Sequence, residues 1–274
     1  MWPGPDRTTF GPVSWESGLC AGLADADRHH ANRLLAAMPA REFAQLAPYL
    51  EIVPLTARTV LVDSGGPLKF GYFPHAGVIC LMAELSKGVA ETATVGPEGF
   101  IGFEVLLGGS TASQRVLVQV EGTASRLPIE QLRAAVEESA KLRTLLLGYV
   151  RYFMIQVLQS VACNGLHVVR ERCARWLLMA HDRAGTDSFA LTQEFLADLL
   201  GIQRPSVTHV ARSLQAAGLI RYSWGRLTIT DRKGLEAAAC ECYGMVRKAL
   251  DETLESPARQ RRRARRRVAD APVA

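Results

Sequence analysis

The chain has 274 residues, of which 48% are hydrophobic and 22% charged, and its formal net charge is +5 at neutral pH. This length suits about two domains, and the chain is long enough and apolar enough to bury a hydrophobic core. The charge is uneven, because residues 257–274 contain seven arginines and one acidic residue. We therefore expect a near-neutral body and a disordered basic tail, which either adds non-specific attraction to DNA phosphates or is simply a solvated end.

The N-terminal segment, residues 1–32, is predicted to be a flexible leader. It is rich in glycine, proline and polar residues and lacks the basic stretch followed by an apolar run that marks a signal peptide. The most apolar long segment, residues 142–163, is interrupted by Arg143 and Arg151, which argues against a membrane span. The sequence therefore predicts a cytoplasmic protein with no membrane partner.

Six cysteines are spread along the chain without a CxxC pair: Cys20, Cys80, Cys163, Cys173, Cys240 and Cys242. In the cytoplasm they are expected to stay reduced. Cys240 and Cys242 are two residues apart on a predicted helix, where their side chains would point to different sides and form a poor chelate. The interpretation is structural thiols, with no metal site and no cofactor.

Residues 33–136 are predicted to form a sensor domain. A helix is expected over residues 32–37, and a second from Pro39 through Leu50. Short runs of β-branched and apolar residues then alternate with turns, at residues 51–53, 59–62, 69–73, 77–82, 89–95 and 116–120. Strands at this spacing are typical of a sandwich or small barrel, so we expect a cupin-like antiparallel β-barrel within an α+β protein.

Residues 137–165 are predicted to form a long helix that pairs with a second copy of the chain. Apolar residues repeat every three or four positions along one stripe: Leu142, Leu146, Tyr149, Phe153, Val157 and Val161. A lone helix of this kind would expose much apolar area, which favours a homodimer, and a two-fold dimer places two DNA-reading helices one DNA turn apart. The alternative is that the stripe packs on the barrel.

Residues 166–256 are predicted to form a winged helix-turn-helix domain. Thr192 is a good N-cap for a first helix, Gly201 suits the turn, and a second helix is expected to begin near Arg204. The alternating pattern that follows indicates a hairpin turning near Trp224-Gly225, where a winged helix carries its wing. The alternative is an ordinary helical hairpin with a solvated polar face.

The second helix of such a motif enters the DNA major groove with its N-terminal residues at the base edges. The candidates for base reading are Arg204, Ser206 and His209. The residues expected to contact phosphates are Thr192, Gln203, Thr208, Arg212, Arg221 and Arg226. The predicted partner is therefore double-stranded DNA.

The order of barrel, long helix and winged helix resembles the CRP/FNR family of bacterial transcription regulators over roughly residues 33–250. The matching motifs are His167–Arg170, Arg172–Leu178, Leu191–Glu194, Ala197, Gly201, Arg204–Val207 and Gly218–Arg221, with Gly96–Gly99 and Gly102 at the family's turn into its ligand cassette. The resemblance implies a homodimer that binds a palindromic operator and senses a signal through its barrel. No enzymatic activity is expected.

Two departures from the family pattern bear on function. Members that bind cyclic nucleotides carry a Glu soon after the cassette glycine and an Arg-Ser/Thr pair about ten residues later, where this chain has Phe103 and Ser113-Gln114. The candidate effector pocket is Gly102, Glu104, Ser113 and Arg115. We expect a barrel that does not bind cyclic AMP in the usual way, because Glu104 and Arg115 are shifted in register. In the recognition helix, Pro205 replaces a Glu and His209 replaces an Arg, so the operator core is expected to differ from the family consensus.

Other interpretations stay open. A haem sensor is one, although His75 is a lone histidine and the leader pair His29-His30 suggests no geometry. A ligand- or metal-binding cupin-like protein, enzymatic or not, with an accessory DNA-anchoring domain is another, but a catalytic barrel would need clustered inward His, Asp or Glu. A ligand-free regulator controlled by its own abundance is the third. RNA polymerase is a further candidate partner if the protein activates transcription, and the effector is unknown.

Overall fold

The structure is a computed structural model that describes residues 27–86 and 88–254. Most of the predicted leader (residues 1–26, with Cys20) and the predicted basic tail at residues 257–274 lie outside the described residues. The described chain mixes helices with antiparallel sheet, which confirms the α+β class.

Residues 33–136, predicted to form a sensor domain, are called the sensor part. Two short helices open this part: α1 (Arg33–Ala37) and α2 (Ala40–Leu46), followed by a 3-10 turn at Ala47–Tyr49. Asn32 caps α1, because its side-chain oxygen accepts hydrogen bonds from the amides of Leu34 and Leu35. Its side-chain nitrogen donates to two carbonyls of the sheet region at 2.9 and 2.8 Å. One side chain therefore both starts α1 and fixes it to the sheet.

The sensor part is built on a five-stranded antiparallel sheet. Its strands are β1 (Glu51–Leu55), β2 (Val60–Val62), β3 (Phe70–Leu85), β4 (Gly88–Val95) and β5 (Arg115–Pro128). The hydrogen-bonded order is β1-β5-β3-β4, and β2 pairs with the first part of β5. Within the described residues the predicted barrel is therefore not closed. Closure would pair β4 with β1 or β2, and β4 instead lies against a helix of the C-terminal part.

Strand β3 merges two strands that the sequence separates, at residues 69–73 and 77–82. Pro74 and Gly77, which read as turn residues, sit at shifts in the register of β3 against β5. Gly77 has φ +93°, and a Cβ there would lie 2.6 Å from the carbonyl oxygen of Val120. Because β5 approaches this closely, the position requires glycine, and the strand bends without ending.

Helices α3 (Ile129–Glu138) and α4 (Ala140–Leu166) follow the sheet. The stripe of α4 predicted to form the dimer contact packs inside the chain instead: Leu142, Leu146, Tyr149 and Phe153 are buried and Val157 is half-buried against the same core. The reason is that the sensor part presents an apolar face to this stripe; the Phe103 and Phe153 ring centroids are 4.5 Å apart. The stripe predicted for the dimer contact is thus corrected to core residues, except for Val161, which is exposed.

A second apolar row on α4 stays exposed: Leu147, Met154, Leu158 and Val161. Its steps of seven, four and three residues follow a heptad seam, in which exposed Arg151 takes the skipped position. By length and composition alone α4 could also cross a membrane, although 33% of its most apolar window is buried inside the fold. The exposed row is the kind of surface that another molecule covers.

The C-terminal part contains α5 (Val169–Ala184), β6 (Ser188–Ala190), α6 (Gln193–Leu200), α7 (Arg204–Ala216), β7 (Ile220–Ser223), β8 (Arg226–Ile229), α8 (Arg232–Ala238) and α9 (Cys242–Leu254). The three strands pair in the order β6-β8-β7. Trp224 and Gly225 join β7 to β8 with φ of +51° and +72°, as a two-residue hairpin loop of type I′ requires. The predicted hairpin is confirmed.

Candidate nucleic-acid interface

Helices α6 and α7 form a helix-turn-helix joined by residues 201–203. The Thr192 hydroxyl caps α6 by accepting from the Phe195 amide at 3.1 Å. Gly201 ends α6 at φ +62°. The facing sides of the two helices are buried: Leu196, Leu199, Leu200, Val207, Val210 and Leu214. This packing fixes the other face of α7 outward.

The residues predicted to read bases lie on that outward face. Arg204, Ser206 and His209 are all exposed in the N-terminal half of α7. Pro205 occupies the first turn, where its missing N–H leaves no helical hydrogen bond unmade. The structure therefore brings the three side chains to the end of the helix that a helix-turn-helix inserts into the major groove.

The residues predicted to contact phosphates divide into two groups. Gln203, Arg212, Arg221 and Arg226 are exposed on α7 and the wing. Thr192 and Thr208 are half-buried and support the motif itself. The Thr208 hydroxyl donates to Oε1 of Gln193 at 2.7 Å, which ties the two helices together. Four of the six predicted residues, three of them arginines, are thus exposed on the same motif as the residues predicted to read bases.

The wing carries a residue that the sequence interpretation did not select. Trp224 at its tip is fully exposed, and its positive φ is uncommon for a bulky residue. In the sequence it lies between two exposed arginines of the wing strands, Arg221 on β7 and Arg226 on β8. An aromatic residue in a two-residue turn between polar positions was the signal available in the sequence.

A buried ion pair joins the DNA-binding part to the sensor part. Arg183 on α5 and Glu98 in the turn after β4 are 5% and 4% exposed, and Nε of Arg183 donates to Oε1 of Glu98 at 2.7 Å. The guanidinium also donates to Thr94 Oγ1 and Gln156 Oε1, both at 2.7 Å, and to the Tyr152 hydroxyl at 3.2 Å. The charge is therefore paired and well supplied with acceptors, as burial demands.

The glycines of the Gly96–Gly99 turn make this junction possible. A Cβ on Gly96 would lie 2.4 Å from Cγ of Arg183, and one on Gly99 would lie 2.3 Å from the Tyr149 ring. Both distances are far inside van der Waals contact. The sequence resemblance placed this turn at the start of a ligand cassette. In the structure its glycines leave room for the side chains of Arg183 and Tyr149.

A second polar contact crosses the same junction. The indole N–H of Trp176 on α5 lies 3.0 and 3.2 Å from the two carboxyl oxygens of Glu91 on β4. Burial raises the pKa of Glu91 to about 8, against the opposing effect of the Trp176 hydrogen bond and of two nearby arginines. The Glu91 carboxyl is thus poised to be neutral where the DNA-binding part docks.

Arg58 reaches from the sensor part to the start of α6. Its guanidinium donates to the Thr192 hydroxyl at 3.5 Å and lies 5.8 Å over the Phe195 ring. Arg58 has φ +67° in the turn between β1 and β2. It is a basic group beside the helix-turn-helix that sequence reasoning missed, because nothing local in the sequence distinguishes it.

The four residues of the candidate effector pocket do not all converge. Glu104 contacts Ser113, and burial raises the pKa of the Glu104 carboxyl although hydrogen bonds from its own backbone and Ser113 oppose the shift. Arg115 instead forms surface ion pairs with Glu84 at 2.8 Å and Asp63 at 3.4 Å. Gly102, with φ +99°, is the N-cap of the 3-10 helix Phe103–Leu107, which carries Glu104. Geometry thus links Glu104 to Ser113 and assigns Arg115 to other partners.

His75, interpreted as a lone histidine, has a histidine neighbour. The His29 and His75 ring centroids are 6.3 Å apart, and both rings hydrogen-bond the Ser125 hydroxyl, at 2.6 and 2.7 Å. Burial, with smaller contributions from His29 and Arg28, lowers the pKa of His75 to about 4. The expectation that the leader histidines suggest no geometry is corrected for His29, whose ring hydrogen-bonds Ser125 of β5.

Comparison with protein families matches residues 171–238 to a Crp-like helix-turn-helix domain. These residues include α6, α7 and the wing described above. The boundaries predicted from sequence for the DNA-binding part enclose the match.

Two kinds of relative extend the similarity beyond that domain. The transcriptional regulator SdrP of Thermus thermophilus is 27% identical over 199 residues, covering 69% of this chain and 94% of the relative. Among solved structures, TTHB099, a CRP-family regulator from the same organism, is 22% identical with a TM-score of 0.58, covering 68% of this chain and 96% of its own. FixK2 of Bradyrhizobium japonicum is 16% identical with a TM-score of 0.60, covering 70% and 98%. These two structures share the fold.

Proposed function

We propose that this chain, a transcription regulator of the CRP/FNR type with a helix-turn-helix DNA-binding domain, acts in the cytoplasm as a homodimer on a palindromic operator. One observation carries the proposal. The N-terminal half of α7 exposes Arg204, Ser206 and His209, and further exposed arginines lie on the same helix and on the wing. Regulation is favoured over catalysis because the relatives are transcription regulators.

Direct reading of bases is assigned to Arg204, Ser206 and His209. Arg204 has the planar guanidinium that binds a guanine edge with two hydrogen bonds, and His209 and Ser206 offer single donors or acceptors. Arg212, Arg221 and Arg226 would hold phosphates on either side. Trp224 at the wing tip and Arg58 beside α6 are added to the candidates for DNA contact, because both lie next to the same motif.

The second copy is proposed to cover the exposed row of α4. The heptad spacing of Leu147, Met154, Leu158 and Val161 suits a parallel helix pair, and exposed Arg151 within the row suits water at a helix interface better than hydrocarbon. Helix α4 joins the sensor part to the DNA-binding part. A helix pair at this place would therefore set the separation of the two recognition helices.

The effector is proposed to differ from a cyclic nucleotide held in the usual way. Phe103, in the position of the family's Glu, is buried against Phe153 of α4. The arginine available nearby, Arg115, is engaged by Glu84 and Asp63. A nucleotide phosphate would have to displace both carboxylates. A regulator without a ligand, controlled by its abundance, remains the second candidate, with RNA polymerase as a partner if it activates.

The test is selection of binding sites from random DNA by the full-length protein, followed by titrations of variants at several salt concentrations. We expect a palindrome with two half-sites. Arg204→Ala should cost about 1–3 kcal/mol and relax specificity at one base pair of each half-site. Arg212→Ala should weaken binding to all sequences alike and lower the salt slope by about one per chain.

Arg41→Ala, an exposed arginine on α2 of the sensor part, is the matched control and should leave binding unchanged. Enrichment of no sequence, or equal effects of Arg204→Ala and Arg41→Ala, would contradict the assignment of α7. A single unrepeated half-site would contradict the homodimer alone.

A further inference from the structure

Four side chains with metal-binding atoms meet where α4 ends. Cys163 lies in the last turn of α4, and His167 caps that helix four residues later. Cys240 lies in the bend between α8 and α9, and Cys242 begins α9. Their three sulfur atoms and one ring nitrogen all lie within 4.8 Å of one another. Two segments far apart in sequence thus supply a Cys-x3-His pair and a Cys-x-Cys pair.

The distances within the cluster suit tetrahedral coordination. Cys163 Sγ lies 3.5 Å from Cys240 Sγ, and Cys242 Sγ lies 3.6 Å from His167 Nδ1. Four ligands around one zinc ion, with Zn–S near 2.3 Å and Zn–N near 2.0 Å, are separated from one another by about 3.5–3.8 Å. The observed spacing therefore needs little movement to close around an ion.

The neighbours of the ligands match what metal sites use to orient them. His167 presents Nδ1 to the sulfur of Cys242, while its Nε2 lies 3.2 Å from the carboxylate of Glu241. A carboxylate on the far ring nitrogen is the usual support of a metal-bound histidine. The side-chain amide of Gln159 also donates to Cys242 Sγ at 3.1 Å. Both residues hold their ligand in position from outside.

The charge around the cluster suits a site with three thiolates. A divalent ion with three thiolates and a neutral imidazole has a net charge of −1. Arg175 and Arg172 interact electrostatically with Cys163, and Arg175 is 6% exposed. Within the described residues, Nε of each arginine is buried and makes no hydrogen bond. Buried cationic groups at this place stabilise an anionic cluster.

We propose that Cys163, His167, Cys240 and Cys242 bind one Zn²⁺ ion per chain. Thiolate and imidazole ligands favour zinc among the common divalent metals, and four protein ligands make a closed, structural site. The ion fastens the end of α4 to the last helix of the DNA-binding part, across the α4–α5 junction. The earlier interpretation of Cys240 and Cys242 as a poor chelate assumed that both lie in one helix; Cys240 precedes α9, which turns its sulfur toward Cys242.

The experiment is metal analysis of the full-length protein, purified under reducing conditions without chelator. We expect one zinc per chain in the wild type, loss of that zinc in Cys240→Ala and Cys242→Ala, and its retention in the matched control Cys173→Ala, a buried cysteine of α5 outside the cluster. Replacement by Co²⁺ should give the thiolate-to-cobalt and tetrahedral ligand-field absorption that Cys₃His coordination produces.

A milder variant keeps the test decisive if a cysteine variant fails to fold. Glu241 is 73% exposed, so Glu241→Gln should fold, and competition with a chromophoric chelator should show zinc bound about 10–100-fold more weakly. Protein without thiolate–cobalt absorption, equal zinc content in all variants, or a Cys163–Cys240 disulfide in the reduced sample would overturn the proposal. None of these readouts depends on DNA binding.

Discussion

At the scale of single residues, His75 shows how burial changes the pKa of a histidine. The ring lies among polar hydroxyls, bonded to Thr123 at 3.2 Å and Ser125 at 2.7 Å, with the His29 ring beside it and Arg28 contributing charge. Burial first, and electrostatic interaction with His29 and Arg28 next, lower the pKa of His75 from 6.5 to about 4. As the pH falls, the His75 ring is therefore protonated at a lower pH in the folded chain than in the unfolded chain.

The sign of the stability effect follows from linkage. Between pH 6.5 and about 4 the unfolded chain binds a proton on His75 that the folded chain does not, so this stabilisation is complete above pH 6.5 and lost as the pH falls to about 4. We expect His75→Gln to narrow the difference in urea midpoint between pH 7 and pH 5. His209→Gln, on the exposed face of α7, is the control. An unchanged pH dependence in His75→Gln would show that the ring protonates freely in the fold.

At the scale of elements, α4 has two apolar rows with different roles. The row with Leu142, Leu146 and Tyr149 is buried in its own chain, and the row with Met154 and Leu158 is exposed. A helix with apolar residues on more than one side can serve two surfaces, because its apolar rows point in different directions. Burial by the sensor part therefore decides which row stays exposed.

Charge in the exposed row should separate the copies without unfolding either. Met154→Glu combined with Leu158→Glu places like charges across the proposed seam, and we expect a monomer by sedimentation with at least tenfold weaker operator binding. The double variant should keep its thermal stability at low protein concentration, since both side chains are exposed, 48% and 61%. Lys141→Glu, on the same helix outside the row, should remain a dimer. Association of the wild type with vesicles instead of a second copy would point to a membrane surface.

At the scale of the whole molecule, the junction between the sensor and DNA-binding parts depends on a buried charge. Five hydrogen bonds hold the pair. Arg183 donates to Glu98 and to three further acceptors, on Thr94, Tyr152 and Gln156, and Glu98 also accepts from the amide of Gly96. A buried ion pair adds little net stability compared with apolar residues of similar size. Removal of one partner, however, leaves the other charge buried and unpaired, which is strongly destabilising. We therefore expect the pair to specify how the two parts dock.

Arg183→Met should lower the free energy of unfolding by about 3–5 kcal/mol, because Glu98 would be left buried and unpaired. The double variant Arg183→Met with Glu98→Leu should recover part of that loss, and urea denaturation of the four proteins gives the coupling energy. Arg126→Met, which breaks the surface pair with Glu51, should cost less than about 1 kcal/mol. Equal losses in Arg183→Met and Arg126→Met would exclude a specific role for the junction.

The sequence by itself determined the features that local chemistry specifies. Thr192 and Gly201 mark the ends of α6, alternation marks β7 and β8, and Trp224-Gly225 marks the hairpin loop between them. Caps, turns and periodicity depend on residues a few positions apart, so the helix-turn-helix, its wing and its outward row were predictable.

The tertiary structure alone decided what depends on distant neighbours. Arg183 meets Glu98 across 85 positions, and Cys163 meets Cys240 across 77. The same applies to the choice of buried row on α4, the union of two predicted strands into β3 and the open edge of the sheet. None of these contacts leaves a local pattern, because each arises when separately formed elements compete for the same apolar or polar surface.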